Sequence, residues 1–157
     1  MLNINLICIG GLKERYWRDA CAEYCKRLTP WAKLHIIEIS EEKCANNAQI
    51  KSVLDAEGVR ILAAIPAQSF SIALCIDGEK LNSEQLAGKL SDIMISGRSS
   101  VSFIIGGSFG LSPDVKQRAQ YCFSMSDLTF PHQFARVMLL EQIYRSMSII
   151  MGGKYHK

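Results

Sequence analysis

The sequence predicts an α/β fold with a largely parallel sheet. Short apolar or alternating runs take turns with longer stretches of helical periodicity along the whole chain, which is the pattern of strand–helix–strand units. Several of the apolar runs end in glycine: Gly10-Gly11 follows the first, Asp77-Gly78 the third and Gly106-Gly107 the fourth. In open α/β sheets, ligands sit in the loops beyond such strand ends. No repeat, linker or low-complexity segment divides the 157 residues, so residues 1–157 read as a single domain long enough for a full core.

Each element has its own signal. Leu2 to Ile9 is a strand, closed by Gly10-Gly11. Lys13 to Leu28 is a helix, with Tyr16, Trp17, Ala20, Tyr24 and Leu28 at helical spacing, and Thr29-Pro30 stops it. Leu34 to Ile39, rich in β-branched residues, is a second strand. Ser40 to Gln49 is polar and reads as a mobile loop. Ile50 to Ile65 is a helix ended by Pro66, and Phe70 to Ile76 is a continuous apolar strand closed by Asp77-Gly78. Asn82 with Gln85 has the form of a capping box opening a helix to Ile95. Val101 to Ile105 is a strand, Ser112-Pro113-Asp114 a helix start, and Tyr121 to Phe123 another short strand. Pro131 to Met151 is a long helix, apolar over most of its circumference, with Glu141 and Arg145 spaced for an i,i+4 pair. So apolar a helix is either deeply central or covered by a second subunit, and the second is favoured.

Composition excludes several classes. At 48% hydrophobic and 21% charged, the chain has the balance of a soluble globular protein. A net charge of +3 allows an acidic partner such as RNA without requiring one. The six cysteines include no C-x-x-C pair and no downstream histidine pair, so free thiols are expected and no metal. The N-terminus has neither a basic leader nor a long apolar run, so no signal peptide or membrane span is expected, and the reading is cytoplasmic.

The motifs are ambiguous taken singly. Gly106-Gly107-Ser108-Phe109-Gly110 lacks the Gly-Lys-Ser/Thr of a phosphate loop and is not G-x-G-x-x-G, so it reads equally as a pocket loop or a tight turn. His132 opens the last helix, where a capping or core role is the plainer reading. Arg136 and Arg145 lie on an otherwise apolar helix, as interface ion pairs or anion-binding groups. The tail from Gly152 to Lys157 should fray, yet its tyrosine, histidine and two lysines suit stacking on a base and holding phosphate.

Together these segments resemble the RlmH family, SPOUT-class methyltransferases acting on a pseudouridine of large-subunit ribosomal RNA. The matching stretches are Ile105-Gly106-Gly107-Ser108-x-Gly110, Leu128-Thr129-Phe130-Pro131-His132, Glu141-Gln142-Ile143-Tyr144-Arg145 and the terminal Tyr155-His156-Lys157. Gly10-x-Leu12-Lys13-x-x-Tyr16-Trp17 and Tyr24-x-x-Arg27-Leu28 match as well, so the resemblance spans essentially the whole chain. It implies a SPOUT-type sheet with helices on both faces and a C-terminal deep trefoil knot, which ordinary topology rules would not suggest.

The resemblance also implies a site. S-adenosylmethionine would be held by Leu74, Gly106 and the loop of Met125, Ser126, Asp127, Leu128, Thr129 and Phe130. The family is dimeric, with each site completed by the partner subunit, where Tyr155, His156 and Lys157 would seat the target base. The implied reaction is methyl transfer to N3 of a pseudouridine in the helix 69 loop of 23S ribosomal RNA, on the assembled ribosome. His156 is the candidate base or orienting group, with Arg145 and Tyr155 beside it, and Lys154, Lys157, Lys13 and Arg15 would contact RNA. Relatives often carry an acid where Cys75 stands here and a lysine where Gly11 stands. Two other readings compete: a non-catalytic ribosome-binding or assembly factor, and a nicotinamide-dependent enzyme, which the missing first-strand fingerprint disfavours.

Overall fold

A computed structural model describes residues 1–157. Five strands form one sheet: β1 (Leu2–Ile9), β2 (Ala32–Ile39), β3 (Phe70–Lys80), β4 (Ser100–Ile105) and β5 (Tyr121–Ser124). Their order is β2-β1-β4-β3-β5, and every pairing is parallel. Five α-helices join them: α1 (Arg15–Leu28), α2 (Ile50–Ala64), α3 (Ser83–Ile95), α4 (Pro113–Arg118) and α5 (His132–Ile150). Alternation along the strands divides the core in two. Ile4, Leu6 and Cys8 face α1, α3 and α5 with Phe103 and Ile72, whereas Ile7 and Ile9 face α2 and α4 with Ile104 and Ala73. The central strands β1 and β4 and the first part of β3 are buried on both faces, which is why they read as near-continuous apolar runs, whereas β2 at the edge is largely exposed.

Local signals set the helix ends. Asn82 and Gln85 make the reciprocal capping box, and Ser112 accepts from the Val115 amide with Pro113 in the first turn. The segment read as a mobile loop is instead tied down. It contains a 3-10 turn at Asn47–Gln49, the buried Glu57 accepts the Glu42 amide, and Arg60 pairs with Glu42.

Two further expectations change, at β3 and at Arg136. Strand β3 does not end at Asp77-Gly78 but continues to Lys80. Leu74 and Glu79 both stand opposite Phe123 of β5, with residues 75–78 looped out between them. Helix α5 packs between α1 and α3 over the sheet, burying Leu139, Leu140, Ile143 and Met147, so a single chain already covers much of its apolar surface. Arg136 is neither an interface group nor an anion site. It is 2% exposed, pairs with Glu38 of β2, and donates to the Gly10 carbonyl at 2.8 Å. That contact fixes the turn after β1 against the start of α5.

Candidate active site

The carboxyl ends of β3, β4 and β5 open into a cavity of about 690 Å³, within the range of small-molecule sites. Three segments wall it: the end of the regular part of β3, the glycine loop after β4, and the loop from β5 to α5. Of the residues expected to hold a cofactor, Leu74, Gly106, Met125, Ser126, Leu128, Thr129 and Phe130 line this cavity. Asp127 does not; it is exposed and pairs with Lys80.

The glycine loop is built from main chain. Gly110, at φ 82°, returns its amide to the Gly107 carbonyl at 3.1 Å, a left-handed turn that favours glycine. At Gly106 the turn folds back so tightly that an added Cβ would stand 2.4 Å from the Gly110 carbonyl oxygen. Ser108 then donates to Glu41 at 3.1 Å, joining the loop to the segment after β2. On the far wall, the Ser126 hydroxyl accepts the Leu128 amide at 3.0 Å and shapes the β5–α5 loop.

His132, at the first turn of α5, also lines the cavity and lies beside Gly10. Sequence reasoning left it as a capping or core residue; its place directly after Leu128–Pro131 was the available signal. Cys75 stands in the wall too, and burial pushes its thiol up to about 12. It is therefore a neutral group.

A second cluster gathers around the C-terminal half of α5. Arg145 and Tyr155 both donate to Glu141, and Arg145 faces His156, with Nη1 3.4 Å from Nδ1. The guanidinium also lies over the Tyr155 ring at 4.7 Å. The tail is thus docked rather than frayed, helped by the Gly153 amide donating to Ser148 at 2.7 Å. Burial, and then the bond to Glu141, pushes the Tyr155 hydroxyl up to about 12, so it remains a neutral donor at physiological pH.

Tyr155, His156 and Arg145 are therefore brought together, but not onto their own chain's cavity. Ala135 lines the cavity and Arg145 is ten residues further along α5, a separation of about 15 Å at the helical rise. Lys154 and Lys157 are exposed at the tail end. Lys13 and Arg15 are exposed at the cavity end, where the Lys13 amide donates to Gln133 at 2.8 Å and Arg15 pairs with Asp19. No group of three or more histidine, cysteine or acidic side chains is placed to hold a metal ion, and no helix is long and apolar enough to cross a membrane.

Comparison with known proteins places this architecture. The family described as "Predicted SPOUT methyltransferase" matches residues 2–156. The chain belongs to the SPOUT methyltransferase family. Its fold is likewise similar to a probable methylase family protein from Haemophilus influenzae Rd KW20, with a TM-score of 0.54 at 10% identity, covering 99% of this chain and 70% of that one. A second protein assigned to a methylase family, from Neisseria gonorrhoeae, matches with a TM-score of 0.53 at 15% identity, covering 91% and 82%. At such identities the likeness concerns the fold alone. A methyltransferase role follows from SPOUT membership, and SPOUT methyltransferases generally use S-adenosylmethionine.

Proposed function

We propose that this SPOUT methyltransferase transfers a methyl group from S-adenosylmethionine to N3 of a pseudouridine in the helix 69 loop of 23S ribosomal RNA, on the assembled cytoplasmic ribosome, as a homodimer. One observation carries the reading. Four of the six stretches that resemble the RlmH family fall at two places, two in the cavity wall and two in the docked tail cluster.

The cavity fits the cofactor on its own terms. Leu74 and Phe130 offer apolar surface, while the bare main chain of Gly106 and of the Met125–Thr129 loop offers polar contacts at close approach. When bound, S-adenosylmethionine supplies a methyl group on a sulfonium centre, activated for attack. The residues must then favour the N3 anion, whose charge spreads onto the two flanking carbonyl oxygens. The imide proton would leave to solvent, and the freed lone pair would form the new C–N bond as the methyl–sulfur bond breaks, its electron pair leaving with sulfur as a neutral thioether. Arg145, held cationic by its hydrogen bond to Glu141, is suited to stabilise that charge.

The 15 Å-scale separation along α5 supports a dimer in which the tail of one subunit closes the cavity of the other. A two-fold axis across α5 carries each tail cluster to the opposite helix start. The exposed Lys154 and Lys157 would then flank the same site as Lys13 and Arg15. A bare domain of net charge +3 holds free RNA weakly, and the ribosome's shape would supply the selection. The trefoil knot is part of this proposal.

The test is tritium transfer from labelled S-adenosylmethionine to ribosomes lacking the modification, beside free ribosomal RNA and ribosomes lacking the pseudouridine. Label is expected only on intact, pseudouridine-containing ribosomes. Equal labelling of ribosomes without pseudouridine would overturn the substrate.

A further inference from the structure

Glu141 accepts four hydrogen bonds although its side chain is 16% exposed. Three of them, from Nε and Nη2 of Arg145 and from the Tyr155 hydroxyl, converge on Oε1. The fourth comes from Gln142 to Oε2, and Gln142 in turn accepts from Ser83 in the first turn of α3 at 2.8 Å. The carboxylate therefore ties α5, the tail and, through Gln142, α3.

This arrangement decides the state of His156. With Nε and Nη2 engaged on Glu141, Arg145 turns Nη1 to His156 Nδ1. A guanidinium has no lone pair to offer, so Nδ1 must be the acceptor. The neutral ring then carries its proton on Nε2, which points toward Glu84 with its carboxylate at 3.7 Å. With its lone pair turned to Arg145, the ring offers a donor and not an acceptor at Nε2.

We propose that Glu141 is the positioning residue of the tail, fixing Arg145 and Tyr155 so that His156 is presented as the Nε2–H tautomer, a hydrogen-bond donor and not a general base. The inference rests on the proposed function in taking the tail to close a methyl-transfer site. A donor is the group that site needs. The flanking carbonyl oxygens of the imide accept hydrogen bonds, and more strongly as N3 gives its proton to solvent. This replaces the base role that the sequence left open for His156.

The test compares the full chain with Glu141→Gln, which keeps the shape and removes the charge that holds Arg145. Nitrogen-15 spectra of the imidazoles, at a pH where they are neutral, should show His156 of the wild type as a single Nε2–H tautomer, assigned with His156→Gln. In Glu141→Gln the tautomers should mix, and amide exchange across residues 153–157 should rise about tenfold or more. Turnover on ribosomes should fall on the order of 10²-fold, with cofactor affinity changed by less than about threefold. A wild-type ring protonated on Nδ1, an unaltered tautomer and tail in the variant, or a loosened tail with unchanged turnover would each overturn the proposal. If the wild type transfers no methyl group at all, the functional reading fails, while the spectra and exchange still decide the role of Glu141.

Discussion

Gly106→Ala is expected to abolish cofactor binding while leaving the fold intact. The new methyl would lie 2.4 Å from the Gly110 carbonyl oxygen and 2.5 Å from its carbon, contacts with main chain that no side-chain rotation relieves. The turn from Gly107 to Gly110 must therefore move, and it forms one wall of the cavity. Strand β4 itself is paired on both sides upstream, with β1 and β3, so the sheet should survive. Displacing a preorganised main-chain wall should weaken S-adenosylmethionine binding by at least about 10²-fold, or about 2.7 kcal/mol. Calorimetric titration measures this, with circular dichroism as the check on folding. Affinity within about twofold of wild type would mean that the glycine loop is shape alone.

The second large effect is on stability. Gly78 lies in the irregular part of β3 hard against β5, and an added Cβ would stand 2.7 Å from Phe123 and 2.8 Å from Cys122, again main chain. Gly78→Ala can be accommodated only by parting the two strands. We expect a loss of about 3 kcal/mol, at the upper end of overpacking penalties, and a melting temperature lower by roughly 10 °C. Gly88→Ala is the control. It lies on the exposed side of α3 with nothing within 4 Å, so it should stabilise by about 0.5–1 kcal/mol. Equal melting temperatures for the two variants would contradict the close approach of the two main chains.

The sequence carried most of the local order. Strands with continuous β-branched and apolar runs, such as Val101–Ile105, were legible because both faces of a parallel sheet are buried. The capping box at Asn82 was legible because its chemistry is confined to four consecutive residues. Contacts between distant segments were not. The partner of Arg136 is Glu38, 98 residues away, and nothing local to α5 marks it. The irregular pairing of β3 with β5 breaks the alternation at Asp77-Gly78, so those residues read as a turn and the strand beyond them was lost. The cavity lining was legible by resemblance to a family, since glycine loop and β5–α5 loop become neighbours only once the strand order is known. The contact of His156 was not, because it depends on how Arg145 divides its donors between Glu141 and the tail.

If the cavity of one subunit works with the tail of the other, chains damaged at opposite ends must complement each other. Gly106→Ala, with a damaged cavity and an intact tail, would be mixed with a chain ending at Gly153, whose cavity is intact. After subunits exchange, half of the dimers should hold one chain of each kind, each with a single complete site. Methyl transfer to ribosomes, absent from either variant alone, is expected to return to about a quarter of the wild-type rate. No recovery in a mixture shown to contain mixed dimers would mean that each tail serves its own cavity, and would contradict the account.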